Sequence, residues 1–421
     1  MKLTLFLLLL SLNSLQAQVK TAEEVFMKAL SDGNLNTIES LVSSGFNPNL
    51  PVHGYTALYF ATQLGQTDAV DVLLAAHADP NALVIHGNAS RYNSPLQFAV
   101  QLGNLQMASM LLAAGANVDT KGTEGRTALH FAVLHRHLDM IHLLIEKGAD
   151  LNIRDAEGAS PLDDAVWRGS LDAVAILLAH GARLNESDSQ TGATPINEAA
   201  FLGNTAVVRY LLQFHPDLEI PDQRGYSPLD NAMRMGKEDS ARLLLEAEPK
   251  ERQTPAFFGK KMDAAIQKDE ATVMETLLRR GASANNLLPS GSTPLDVAAS
   301  VGAIKVVGVL LDHKADPNVS SPSGATPLED ASLRGRDSIV RMLLDHGALV
   351  NQLNSGSGTT ALYAAASFGR SEVVKLLLHR GANPSLCGNS SKSPYQAALE
   401  NGYGEVANQI RSRGGAITCR P

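Results

Sequence analysis

One short frame returns along this chain of 421 residues at a nearly fixed interval, and that interval limits the fold more than any other feature. The frame is Thr or Ser, then Pro or Ala, then an apolar residue, with Ala three positions further on. It occurs as "YTALYFA" at Thr56, "NSPLQFA" at Ser94, "RTALHFA" at Thr127, "ASPLDDA" at Ser160, "ATPINEA" at Thr194 and "YSPLDNA" at Ser227. It continues as "STPLDVA" at Thr293, "ATPLEDA" at Thr326, "TTALYAA" at Thr360 and "KSPYQAA" at Ser393. Successive anchors lie 38, 33, 33, 34, 33, 66, 33, 34 and 33 residues apart, so one degenerate unit anchored near Lys260 fills the double interval. A further unit, "EVFMKALSDGNLNTIESLVSSGFNPN", precedes Thr56, which brings the expected count to twelve. A repeat this short cannot cover its own apolar side, so it has to stack on its neighbours.

A second feature keeps the same register. Nine residues after the anchor stands Gly in all but two units, at Gly33, Gly65, Gly103, Gly169, Gly203, Gly236, Gly302, Gly335, Gly369 and Gly402. That is where one short helix should end in a left-handed residue before the next begins. The exceptions, Arg136 and Asp269, should carry strain of roughly 1 kcal/mol each. Apolar residues follow at helical spacing, as at Ile141, Leu143, Leu144 and Ile145, until a Gly-Ala-Asp or Gly-Ala-Asn turn such as Gly148-Ala149-Asp150. Thr or Ser at the anchor suits a helix N-cap, and Pro after it suits the first turn, where its missing N–H is not needed.

Anchor, spacing and glycine together resemble the ankyrin repeat, with its 33-residue period and Thr-Pro-Leu-His-x-Ala signature. The resemblance runs from about residue 20 to about residue 418. It implies an all-α fold, an ankyrin-repeat α-solenoid of antiparallel helix pairs with hairpin-like fingers. The expected parts are a leader at 1–17, repeats one to seven over 18–248 and repeats eight to twelve over 249–421. The segment 246–261, "EAEPKERQTPAFFGKK", loses the Gly-Ala-Asp turn and gains Pro249 and Pro255; it reads either as a hinge between two arrays or as an irregular finger in a continuous one. Five extra residues between Asn81 and Ser94 extend another finger and could expose Val84 and Ile85.

"MKLTLFLLLLSLNSLQA", Met1 to Ala17, has one early charge at Lys2, an apolar run and a small final residue, as a secretory signal peptide has. The run is too short for a membrane-crossing helix, so cleavage after Ala17 and export to a periplasm or the extracellular space are expected, with no membrane insertion afterwards. The formal net charge of -8 argues against a nucleic-acid surface. Cys387 and Cys419 are the only cysteines. In the repeat frame Cys387 follows the Gly381 turn and Cys419 follows the equivalent Gly415, which brings them to neighbouring finger stems. They read either as a disulfide, permitted in an oxidising compartment, or as two unrelated thiols.

His130, His135, His137 and His142 crowd one stretch at a density typical of metal ligands, but His137 and His142 are five apart and do not share a helix face. His130 falls on the signature histidine, and the resemblance gives it a structural role. Asp163, Asp230, Asp263, Asp296 and Glu329 take that position in other units. No phosphate loop, nucleophile elbow or metal-helix motif occurs, and no catalytic residue, cofactor, metal or small-molecule substrate is expected.

The resemblance implies a protein partner held by the fingers and the exposed ends of the first helices. The candidate contact residues are Trp167, Arg168, Phe201, Leu202, Arg234, Met235 and His135, extended by Arg126, Arg224 and Tyr226 on the fingers. Aromatic, Met and Arg side chains are the usual interface anchors, although Phe201, Leu202 and Met235 could instead seal contacts between units. The expected function is an exported, non-enzymatic protein-binding solenoid. The alternatives are an inhibitor or immunity protein capping a secreted enzyme or toxin, an enzyme with a site built on the array, and a purely structural element.

Overall fold

The computed structural model describes residues 22–51, 54–82, 93–387 and 391–415, and in them the chain forms twenty-four α-helices and no strand. The expected leader, Val84, Ile85 and Cys419 lie outside the described residues. The chain divides into two compact units, Met1–Pro228 and Leu229–Pro421. Helices of the first are α1 (22–31), α2 (Leu35–Ser43), α3 (Ala57–Gln63), α4 (Thr67–Ala75), α5 (Pro95–Gln101), α6 (Leu105–Ala113), α7 (Ala128–Leu134), α8 (Leu138–Glu146), α9 (Pro161–Trp167), α10 (Leu171–Ala179), α11 (Pro195–Leu202) and α12 (Thr205–Leu212). The second opens with α13 (Pro228–Arg234) and continues through α14 (Glu238–Ala247), α15 (Pro255–Lys268), α16 (Ala271–Arg279), α17 (Pro294–Val301), α18 (Ile304–Asp312), α19 (Pro327–Arg334), α20 (Asp337–Asp345), α21 (Ala361–Ser367), α22 (Ser371–His379), α23 (Pro394–Glu400) and α24 (Gly404–Ser412).

The pair α9 and α10 shows how the frame makes a repeat. Ser160 is extended, its hydroxyl oxygen accepts from the Asp163 backbone N–H, and Pro161 takes the first helical position. Seven residues later the helix stops, because Gly169 turns left-handed at φ +63° and the chain reverses into α10. Every anchor-plus-nine glycine has positive φ, and so do Arg136 at +60° and Asp269 at +54°, where a Cβ makes that conformation costly.

Small and large residues then divide the packing. The Ala of the frame is fully buried in pair after pair, at Ala61, Ala99, Ala132, Ala165 and Ala199 in the first unit and at Ala298, Ala331 and Ala398 in the second. A methyl group there lets neighbouring first helices approach closely, so α7 packs on α5 and α9, and α19 on α17 and α21. Leucines of the second helices, among them Leu73, Leu111, Leu144 and Leu177, are also fully buried and fill the remaining space. Each such leucine stabilises the stack by roughly 1.5–3 kcal/mol.

The fingers are tied by a repeated side-chain clamp. Asn81 donates through Nδ2 to the Gly115 carbonyl at 2.9 Å and accepts through Oδ1 from the Asn117 N–H at 2.7 Å. Asn152 and Asn185 accept likewise from the N–H groups of Arg183 and Asp217, both at 2.9 Å. In the second unit Asn285, Asn318 and Asn351 repeat the clamp on Asp316, Leu349 and Asn383.

Two expectations need correction. The degenerate repeat does not begin near Lys260: Thr254 caps the Phe257 N–H, Pro255 opens the helix, and α15 runs for fourteen residues. Part of the supposed irregular finger is therefore helix, preceded by a short 3-10 turn at Lys250–Arg252. The left-handed residue matching Gly381 is Gly414, at φ +93°, not Gly415. Among the described residues no helix is long and apolar enough to cross a membrane.

Candidate functional site

The last helical residue of α9 stands two positions before the left-handed Gly169, where the chain turns away. That residue is Trp167, 56% exposed, and the Arg168 guanidinium lies 4.9 Å from its ring centre. Below them, within the first unit, opens a cleft of about 480 Å³ whose walls come from α7, α9, α11 and the intervening fingers.

The cleft is acidic. Asp163 accepts from the Ser160 backbone N–H and hydroxyl, both at 2.8 Å, and burial nevertheless pushes its carboxyl up to about 6. Asp164 is only 7% exposed, and its Oδ2 has no hydrogen-bond partner. Burial raises it to about 7; Arg126 and Arg168 draw it down, whereas Asp155 and Asp163 push it up. Glu198 on α11 is half-buried and also raised, first by burial and then by Asp188 and Asp163. Arg126 is engaged elsewhere, with Asp155 Oδ2 at 3.3 Å and with Glu124, and the Asp155 side chain is wholly buried.

Of the residues expected from sequence to meet a partner, Trp167, Arg168 and Arg126 line this cleft. His135 is exposed; burial comes first, then His137 and Arg168, in lowering its pKa. Phe201 and Leu202 are half-buried at the end of α11 and do not line the cleft, and Arg224 and Tyr226 are exposed on a later finger where both N–H groups bond Asp222 Oδ1 at 2.9 Å. Arg234 and Met235 belong to the second unit; Met235 is exposed, and Arg234 reaches Asn231 Oδ1 at 3.3 Å.

Asp164 and Glu198 were not among those candidates. The available signal was their position, four after the anchor, where the preceding repeats carry Phe60, Phe98 and Phe131.

The histidines separate. His130 is buried in the α7 cap, its Nδ1 accepts from the Thr127 N–H at 3.1 Å, and its Nε2 donates to the Ala159 carbonyl at 3.2 Å. Desolvation pushes it down to about 4, so it is neutral at physiological pH. His135 and His137 stack with ring centres 5.8 Å apart, whereas His142 faces His180. Among the described residues no three His, Cys, Asp or Glu side chains come together closely enough to hold a metal ion. His180 and His346 close second helices by bonding the Ile176 and Met342 carbonyls, each at 2.8 Å.

Comparison with known proteins agrees with this architecture. The family described as "Ankyrin repeats (3 copies)" matches residues 2–84, 96–188, 162–253 and 261–354, and "Ankyrin repeat" matches residues 357–389. No curated protein matches the chain. Ankyrin repeats generally mediate protein–protein interaction and typically act as non-catalytic scaffolds. With helix pairs, capped anchors and left-handed turns recurring in the register of those matches, the chain belongs to the ankyrin-repeat family.

Proposed function

We propose that this chain is an exported, non-catalytic protein-binding solenoid of twelve ankyrin repeats, whose principal contact surface is centred on Trp167. The observation that carries this reading is the sole tryptophan of the chain standing 56% exposed over an acidic cleft. A large indole left in water without a packing role loses about 25 cal/mol for each Å² that a partner could cover. Arg168 across its face adds a planar group of the kind that interfaces favour.

Signal-like residues 1–17 support export, with the mature chain free in a periplasm or outside the cell. In such a compartment Cys387 and Cys419 would pair. No nucleic acid is expected on a surface of net charge -8.

The test is affinity capture from envelope and secreted fractions with the mature chain and with Trp167→Ala. A defined partner held by the parent and weakened about tenfold or more by the variant supports the reading. Retention of every partner at parental strength would remove Trp167 from the surface. A single stoichiometric enzyme among the captured proteins would turn the scaffold into an inhibitor.

A further inference from the structure

We propose that the cleft beneath Trp167 receives a lysine or arginine side chain of the protein partner, an inference that rests on the protein-binding reading above. Two carboxyl groups of the cleft, those of Asp164 and Glu198, form no ion pair with the arginines that line it. Asp164 is more than nine-tenths buried, lines the cleft, and keeps Oδ2 without a hydrogen bond. The Glu198 side chain, on the facing helix, makes no hydrogen bond or ion pair within the described residues. The nearby arginines do not fill the vacancy. Arg126 is drawn to Asp155 and Glu124, and Arg168 lies over the indole.

A buried carboxyl whose lone pair accepts no hydrogen bond costs free energy until a donor reaches it. An incoming ammonium or guanidinium brings several N–H donors and the opposite charge, while its methylene stem can lie along Trp167 and Leu134. The space of about 480 Å³ admits one such long side chain. A bare metal ion fits worse, because no three of these acids converge closely enough to coordinate one. A carboxylate or an apolar side chain has no donor and would leave the Asp164 demand unmet, and a neutral amide or hydroxyl would bring a donor without the opposite charge.

The sequence frame supports a local purpose. Earlier repeats place Phe60, Phe98 and Phe131 at the position that becomes Asp164 and then Glu198. Within the first unit two successive acids thus follow three aromatic rings at one position, and both line the cleft.

Because Trp167 is the only tryptophan, its fluorescence reports on this cleft alone. The full mature chain is titrated with the blocked tripeptides Gly-Lys-Gly and Gly-Arg-Gly, with the norleucine analogue, and with calcium chloride. Saturation by either basic peptide, no saturation by the norleucine peptide, and about tenfold weaker binding in the Asp164→Asn/Glu198→Gln variant are expected. Glu198→Gln alone changes a half-buried group and should give a smaller loss, which covers the case in which the double variant fails to fold. No saturation by either basic peptide, equal saturation by norleucine, indifference to Glu198→Gln and the double variant, or saturation by calcium in place of the peptides would each overturn the proposal. Should a captured partner be lost by Trp167→Ala yet held equally by Asp164→Asn/Glu198→Gln, protein binding survives and the basic side chain does not. Capture indifferent to Trp167→Ala while the basic peptides still saturate would do the reverse.

Discussion

At the scale of single residues, the position that opens the second helix shows how one side chain can work against the stack. There Asn204 Nδ2 donates to the Val166 carbonyl at 3.1 Å, Arg370 Nε to the Leu333 carbonyl at 3.0 Å, and Gln66 to the Leu30 carbonyl. Each donor ties a repeat to the one before it. Glu270 takes the same position, is 4% exposed, and has neither carboxyl oxygen in a hydrogen bond. A carboxylate has nothing to donate, and burial, aided by Glu238, raises Glu270 to about 7. A folded pKa above the unfolded value of 4.5 means that its contribution is intact below that value and is lost as pH rises through about 7. The helix dipole favours a negative charge there, but by only about 0.3–1 kcal/mol, less than the desolvation it opposes. Glu270→Gln should therefore be nearly neutral in stability at acid pH and gain ~1–2 kcal/mol at mildly alkaline pH. Urea unfolding at the two pH values checks this, and an equal effect at both would show that the carboxyl is already satisfied.

At the scale of elements, α15 departs from its counterparts, and its own residues explain how the departure is tolerated. Lys261 is 5% exposed and is paired with Asp230 of α13, with its ammonium 5.6 Å from the Phe257 ring centre. Asp230 stands at the position where the signature has histidine, so an ion pair replaces the hydrogen bond that His130 makes in α7. Asp230→Ala should cost ~3 kcal/mol by leaving a buried ammonium uncompensated, and Lys261→Met in that background should recover most of the loss. Thermal melts of the two single variants and the double variant measure the coupling; additive effects would show that the pair does not act as one. This element also marks where sequence reasoning stopped short. Thr254-Pro255 carried the same cap signal as the other anchors, but counting in steps of 33 placed the start at Lys260 and hid the helix behind an apparent finger. The glycines were legible because a left-handed turn has few chemical solutions, and the buried alanines were legible because close helix approach has few as well. Trp167 was legible as an exposed aromatic at a fixed offset. Asp164 and Glu198 were not, since a carboxylate four residues into a short helix can equally face water, and only the neighbouring fingers decide that it is enclosed.

At the scale of the whole molecule, stability is a sum of repeats and the contacts between nearest neighbours, because each helix pair touches little beyond the pairs on either side. In the first unit α9 and α10 are covered by α7 and α8 on one side and by α11 and α12 on the other. In the second, α24 packs on α22 and α23. Amide hydrogen exchange should be slowest in α9, α10, α17 and α18 and faster by about tenfold or more in α2 and α24, whose stacking partners among the described residues lie on one side. Uniform protection across both units would show instead that the stack unfolds in a single step.

The asparagine clamp between fingers reaches forward about one period, from Asn152 to the Arg183 N–H or from Asn318 to the Leu349 N–H. Excising or duplicating one complete period hands the same amide a backbone of the same shape at the splice. A cut of any other length offers it a helix side or empty solvent. Such a chain can thus change size in whole steps while its joinery stays intact, and fractional edits are the ones it should refuse.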